Sequence, residues 1–158
     1  MPDAPATRTA SLAALDAAYG RLHALVATID EPHGAWNGAV GAWSVVNLLQ
    51  HIDGWLQEMT GALQRLARGE RPTPQGVDYA NVNAWNARFV EARGEQSMAQ
   101  ALAAWEQRHA AFRAAAAAVP DDRWGEGKTV NRLVFGTAIE HYDHHRADLN
   151  AYLGGAHA

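Results

Sequence analysis

From Ser97 onward, Met98, Leu102, Trp105, His109, Phe112, Ala116 and Val119 recur at alternating steps of four and three residues. Only an α-helix, at about 100° per residue, gathers such a set onto one face. Ser97-Met98-Ala99-Gln100 fits the capping-box pattern that opens such a helix. His109 lies on the stripe, which predicts a buried imidazole bonded to a neighbouring carbonyl or hydroxyl.

Three further segments carry the same period. From about Ser11, read as an N-cap after a frayed lead-in over 1–8, Leu12, Leu15, Tyr19, Leu22, Val26 and Ile29 form one face. Ser44 caps a second helix ending near Arg68 and Gly69, with Val45, Leu48, Leu49, Ile52, Trp55, Leu56, Met59, Leu63 and Leu66 apolar. Thr129 caps a last helix running to about Leu153, stopped by Gly154-Gly155. Abundant alanine with few valines and isoleucines favours helix over strand. The expected fold is all-α: a four-helix bundle in a single domain over 1–158, with its core in 10–153.

The loops constrain how these helices are arranged. Residues 69–80 are rich in turn formers, and a weaker helix over Val82 to Arg93, diluted by Asn81, Asn83 and Asn86, follows. This long connection permits a crossover, leaving the second and third long helices parallel and the second and fourth antiparallel. The loop from Glu31 to Trp43 carries Trp36 and Trp43, which either plug the end of the core or line a pocket mouth.

The last helix holds Glu140-His141-Tyr142-Asp143-His144-His145-Arg146. His141 and His145 are one turn apart on the stripe formed by Val130, Val134, Thr137, Ala138, Asp148 and Tyr152; His144 falls at its edge, and Asp143 and Arg146 lie opposite. A histidine on an apolar stripe is ordinarily a core residue with a satisfied hydrogen bond; an i, i+4 pair also suits a divalent metal. His51, taken alone, is a boundary histidine; His23 and His33 read as ordinary polar positions, and His157 as part of a free tail.

His51 is about 9 Å from the start of its helix, and His145 about 12 Å from the end of its own. Antiparallel helices bring them to one level; parallel helices separate them by about 9 Å or more.

Trp43-Ser44-Val45-Val46-Asn47-Leu48-Leu49-Gln50-His51-Ile52 resembles the second-helix motif of the DinB-like superfamily, and His141-Tyr142-Asp143-His144-His145 its H-x-x-x-H. Trp55 is similar to members that hydrolyse or inactivate cyclopropane-containing metabolites. The run from Val82 to Glu91 is more similar to mycothiol-dependent maleylpyruvate isomerases, and the nearest cues overall are to that type and to DfsB-type members. The resemblance implies a bundle of the DinB/YfiT type with a crossover after its second helix. It also implies a divalent metal on His51, His141 and His145. Family activities include thiol-dependent transfer or isomerisation with mycothiol or bacillithiol, and hydrolysis of small metabolites; homodimers are common.

Three neutral imidazoles leave a divalent ion its full charge and an open position, the layout of a reactive site. Zinc and nickel are the first candidates, with iron, cobalt and copper also compatible with nitrogen ligands. The chain has no cysteine, so a thiolate nucleophile has to arrive from outside. Asp148, one turn beyond His145, is a candidate acceptor for a ligand imidazole, or else a carboxylate facing a cation or tyrosine at the bundle end. Trp55 is a candidate pocket wall and Glu58 a candidate catalytic proton acceptor; the plainer reading of Glu58 is a solvated carboxylate.

Three functional expectations follow: a metalloenzyme acting on a small-molecule substrate, a non-catalytic protein that sequesters metal or ligand, or a plain bundle with structural histidines. A net charge of −4 with scattered basic residues argues against nucleic acid and membrane partners. Without a leader-like N-terminus or an apolar span, a cytoplasmic location is the expectation.

Overall fold

In the computed structural model, which describes residues 5–156, the helices are α1 (Arg8–Val26), α2 (Glu31–Ala35), α3 (Val45–Ala67), α4 (Val82–Arg93), α5 (Met98–Ala117), α6 (Thr129–Val134) and α7 (Glu140–Ala156). His157 and residues 1–4 of the lead-in lie outside that span. A π-helical stretch, Phe135–Ile139, joins α6 to α7. The four long rods are thus α1, α3, α5 and the α6–α7 run. There is no strand among the described residues, only an isolated bridge between Val40 and Trp43.

Local chemistry accounts for most helix starts. Ser44 and Ser97 each accept the backbone N–H three residues on, while Asn47 and Gln100 return a bond to the cap backbone. At α1 the cap is Thr7, not Ser11; Ser11 is buried inside the helix and its hydroxyl donates to Pro5 O. Thr129 likewise lies inside α6, which has no side-chain cap. Asp30 starts the short α2, so His33 sits on a helical turn rather than in a loop. The last helix also continues through Gly154-Gly155, because glycine weakens a helix without obliging it to stop.

Helix directions follow from cross-links. Gln50, near the start of α3, donates to Gly94 O and to Gln96 just ahead of α5, so those helices run parallel. Arg113 pairs with Asp16 and Arg8 with Ala117 O, which sets α1 antiparallel to α5. Arg21 pairs with Asp143, placing α1 alongside α7. Leu66, late in α3, shares a surface cleft with Val130, early in α6. The crossover after α3 therefore makes α3 antiparallel to the α6–α7 run, as a shared level for His51 and His145 requires.

One continuous core fills the bundle, with Leu15, Leu22, Leu48, Leu49, Ile52, Leu56, Leu63, Trp105, Phe112, Val134, Tyr142 and Leu149 fully buried. Burial of such side chains from water is the main force holding the helices together. Tyr142 and Leu149 were not on the inward stripe expected for the last helix. This helix buries two faces, one carrying Tyr142 and Leu149 into the core and one carrying the histidines toward α3.

The crossover helix α4 docks on α3 at close range. Phe89 lies directly on Gly54, where an added Cβ would come within 2.1 Å of its ring. Beside that contact, Arg93 and Arg108 both pair with the buried carboxylate of Asp53.

Candidate metal centre

The histidine cluster forms where α3 and α7 pass each other. His51 is on the inward side of α3, six residues past its start, and is 5% exposed; His145, on α7, is 6% exposed. The His51 Nε2 lies 2.8 Å from that of His141 and 3.3 Å from that of His145. Three nitrogens at tetrahedral positions 2.0–2.1 Å from a zinc-sized ion would stand about 3.3 Å apart, so the donors match such an ion.

Nitrogen protonation supports the same fit. His141 Nδ1 donates to Thr137 O at 3.2 Å, and His145 Nδ1 to an Asp148 carboxylate oxygen at 2.9 Å. With those protons on Nδ1, both Nε2 atoms present lone pairs toward His51. His51 Nδ1 is buried with no hydrogen-bond partner. A third lone pair on His51 Nε2 would repel the other two unless a cation lay between them.

The three rings are neutral at ordinary pH. Burial, followed by the neighbouring imidazoles, pushes His51 down to about 2 and His145 to about 3; burial lowers His141 to about 4. A neutral imidazole is the form that binds a metal, so protons do not compete for these nitrogens near pH 7.

The π-helical stretch explains the Thr137 contact. Glu140 N–H bonds the carbonyl of Phe135, five residues back, in place of the i−4 partner of an α-helix. The widened turn lets the Thr137 carbonyl meet the His141 side chain. Hydrophobic periodicity carries no signal for a π turn, so this acceptor was illegible in the sequence.

The other expected residues are placed as follows. Asp148 reaches His145, and also lies 3.6 Å from exposed His144, so His144, His145 and Asp148 form a second group with ligand-like spacing. Trp55 donates through its indole Nε1 to Asn86 Oδ1 at 2.7 Å, and its ring packs on Phe89, Tyr79 and Trp85. Glu58 is neither free in solvent nor in the histidine cluster: it accepts from the Tyr79 hydroxyl at 2.8 Å, and burial, followed by this bond, pushes that phenol up to about 12. The Trp43 ring lies 5.1 Å from that of His51, whereas Trp36 is 54% exposed beside His33.

His109 is buried as expected. It stacks on Tyr19 with ring centroids 3.7 Å apart and is hydrogen-bonded to the Tyr142 hydroxyl at 2.9 Å, away from the cluster. His23 pairs with Glu106. Two partners of these residues were not singled out in the sequence: the Thr137 carbonyl at His141 and Asn86 at Trp55. Asn86 read there only as a weak helix former.

Several solved structures share this fold. The colibactin self-resistance protein ClbS in complex with a dsDNA has a TM-score of 0.80 at 15% identity, over 93% of this chain and 95% of that one. The sibling lethal factor precursor DfsB has a TM-score of 0.79 at 12% identity, over 96% and 98%. An uncharacterised protein from Escherichia coli UTI89 has a TM-score of 0.80 at 17% identity, over 97% and 96%. No curated protein sequence matches the chain.

The ClbS complex overturns the exclusion of nucleic acid drawn from charge. Net charge describes an average, while duplex binding depends on local arrangement. No helix among the described residues is long and apolar enough to cross a membrane.

The family model for the DinB superfamily matches residues 7–149, nearly the whole bundle, and the chain belongs to that superfamily.

Proposed function

We propose that His51, His141 and His145 hold one divalent metal ion, and that the protein is a metal-dependent transferase, isomerase or hydrolase acting on a small electrophilic metabolite. The observation carrying this reading is the convergence of three neutral Nε2 donors, two of them with their Nδ1 protons already held by acceptors. When bound, such an ion supplies a Lewis acid that makes water or a thiol acidic near neutral pH. Zinc and nickel suit the all-nitrogen set, and iron is compatible with it.

The chain's own groups prepare the site. Thr137 and Asp148 fix the orientation of two imidazoles, Trp43 covers the His51 ring, and burial keeps all three rings deprotonated. In this reading Trp55 forms a wall of the substrate cavity and Glu58, which accepts from the Tyr79 hydroxyl, is a proton acceptor on that wall. With no cysteine in the chain, a thiol nucleophile is a diffusible one, of the mycothiol or bacillithiol class.

A second reading is stoichiometric sequestration of a toxic metabolite or metal, supported by likeness to a self-resistance protein. Metal analysis of untagged protein, beside His141→Ala, tests the centre: wild-type metal content in that variant removes it. An electrophile panel with and without mycothiol, bacillithiol or glutathione then divides the readings. Thiol-dependent turnover supports transfer, thiol-independent turnover supports hydrolysis, and binding without turnover supports sequestration.

A further inference from the structure

Ligation through Nε2 obliges each imidazole to keep its proton on Nδ1, and a buried N–H requires an acceptor. Thr137 and Asp148 meet that requirement for two of the rings. The His51 Nδ1 atom does not have one: it is buried and unpaired.

The neighbouring side chain able to serve is Asn86 on α4. Its Oδ1 accepts from Trp55 Nε1 at 2.7 Å and keeps a second lone pair. Trp55 stands one turn after His51 on the same side of α3, so this bond holds Asn86 over the turn that carries the unpaired Nδ1. Its place is set by the tight docking of α4: Phe89 sits on Gly54, and Arg93 binds Asp53 and Gln57.

We infer that Asn86 is the positioning residue for His51, accepting its Nδ1 proton in the metal-loaded protein and so coupling metal affinity to the docking of α4. This inference rests on the three-histidine centre proposed above. Since Asn86 belongs to the crossover helix and not to the bundle rods, the link is reciprocal: metal that fixes His51 also holds α4 down.

The test compares Asn86→Ala, Asn86→Leu and Asn86→Asp with wild type and His141→Ala. Zinc affinity is measured by competition with a chromophoric chelator, and amide exchange over residues 82–93 with and without zinc. Loss of an outer hydrogen-bond partner costs about 10–100-fold in metal affinity. Asn86→Ala and Asn86→Leu should both fall in that range, Asn86→Asp should restore binding, and zinc should slow exchange in α4 only where residue 86 is an acceptor. Asn86→Leu keeps the branching and the number of heavy atoms, so wild-type affinity there would reduce Asn86 to packing and overturn the inference. Failure of Asn86→Asp to restore binding would overturn it as well. Wild-type affinity in Asn86→Ala beside loss in His141→Ala overturns the inference alone; wild-type affinity in His141→Ala removes the centre beneath it.

Discussion

His51 Nε2 and His141 Nε2 stand 2.8 Å apart although ninety residues separate them in sequence. Between two neutral rings, one of the facing atoms must carry a hydrogen if that distance is a direct hydrogen bond. His141 has its proton committed to Thr137 O, so His51 would supply it, leaving its own buried Nδ1 a bare lone pair. A metal ion removes the conflict by accepting both lone pairs.

Metal should therefore stabilise the fold through these rings. At free zinc about 100-fold above its dissociation constant, linkage gives about 2.7 kcal/mol, or roughly 5–10 °C in Tm for a chain of this size. The shift should vanish in His51→Ala and His145→Ala. Thermal melts with and without zinc measure it, and an equal shift in either variant would place the metal elsewhere.

Asp148→Ala should weaken zinc binding about 10–100-fold while leaving helical content unchanged, because Asp148 orients His145 without being needed to fold α7. Chelator competition and circular dichroism are the two measurements. Unaltered affinity would mean that the 2.9 Å contact only caps a surface polar pair.

Acid should unfold the metal-free protein through its buried histidines. Burial lowers His109 from 6.5 to about 4, so below about pH 6.5 the unfolded chain binds protons that the folded ring refuses. That contribution, about 3 kcal/mol from His109, is present above pH 6.5 and is lost as the pH falls toward 4. Urea midpoints between pH 7.5 and 4.5 should fall accordingly, and His109→Gln should flatten the profile. A profile indifferent to His109 would contradict its buried neutral state.

Gly54→Ala should cost on the order of 1–3 kcal/mol, since its Cβ would overlap the Phe89 ring and push α4 off α3. Combined with Phe89→Ala, the loss should be less than additive, because the second change makes room for the first. Urea denaturation of both single variants and the double variant closes the cycle; full additivity would show that the contact is loose.

The sequence by itself marked the rods and, through its resemblance to the DinB-like superfamily, the three histidines that converge. Stripes such as Met98–Val119 have only one solution in which apolar side chains leave water, and caps at Ser44 and Ser97 mark where two of those rods begin. Even the weak α4 was legible, over Val82–Arg93. What the tertiary structure decided is how the histidines are held. A π turn aims a backbone carbonyl at His141, and a glycine on α3 lets α4 approach closely enough to bring Asn86 against Trp55, one turn from His51. Periodicity reports which face of a helix avoids water; it says nothing about single hydrogen bonds, which depend on ångström-scale approach between segments far apart in the chain. The same limit applies to partners, because net charge is a sum over residues while recognition follows where they come together in space.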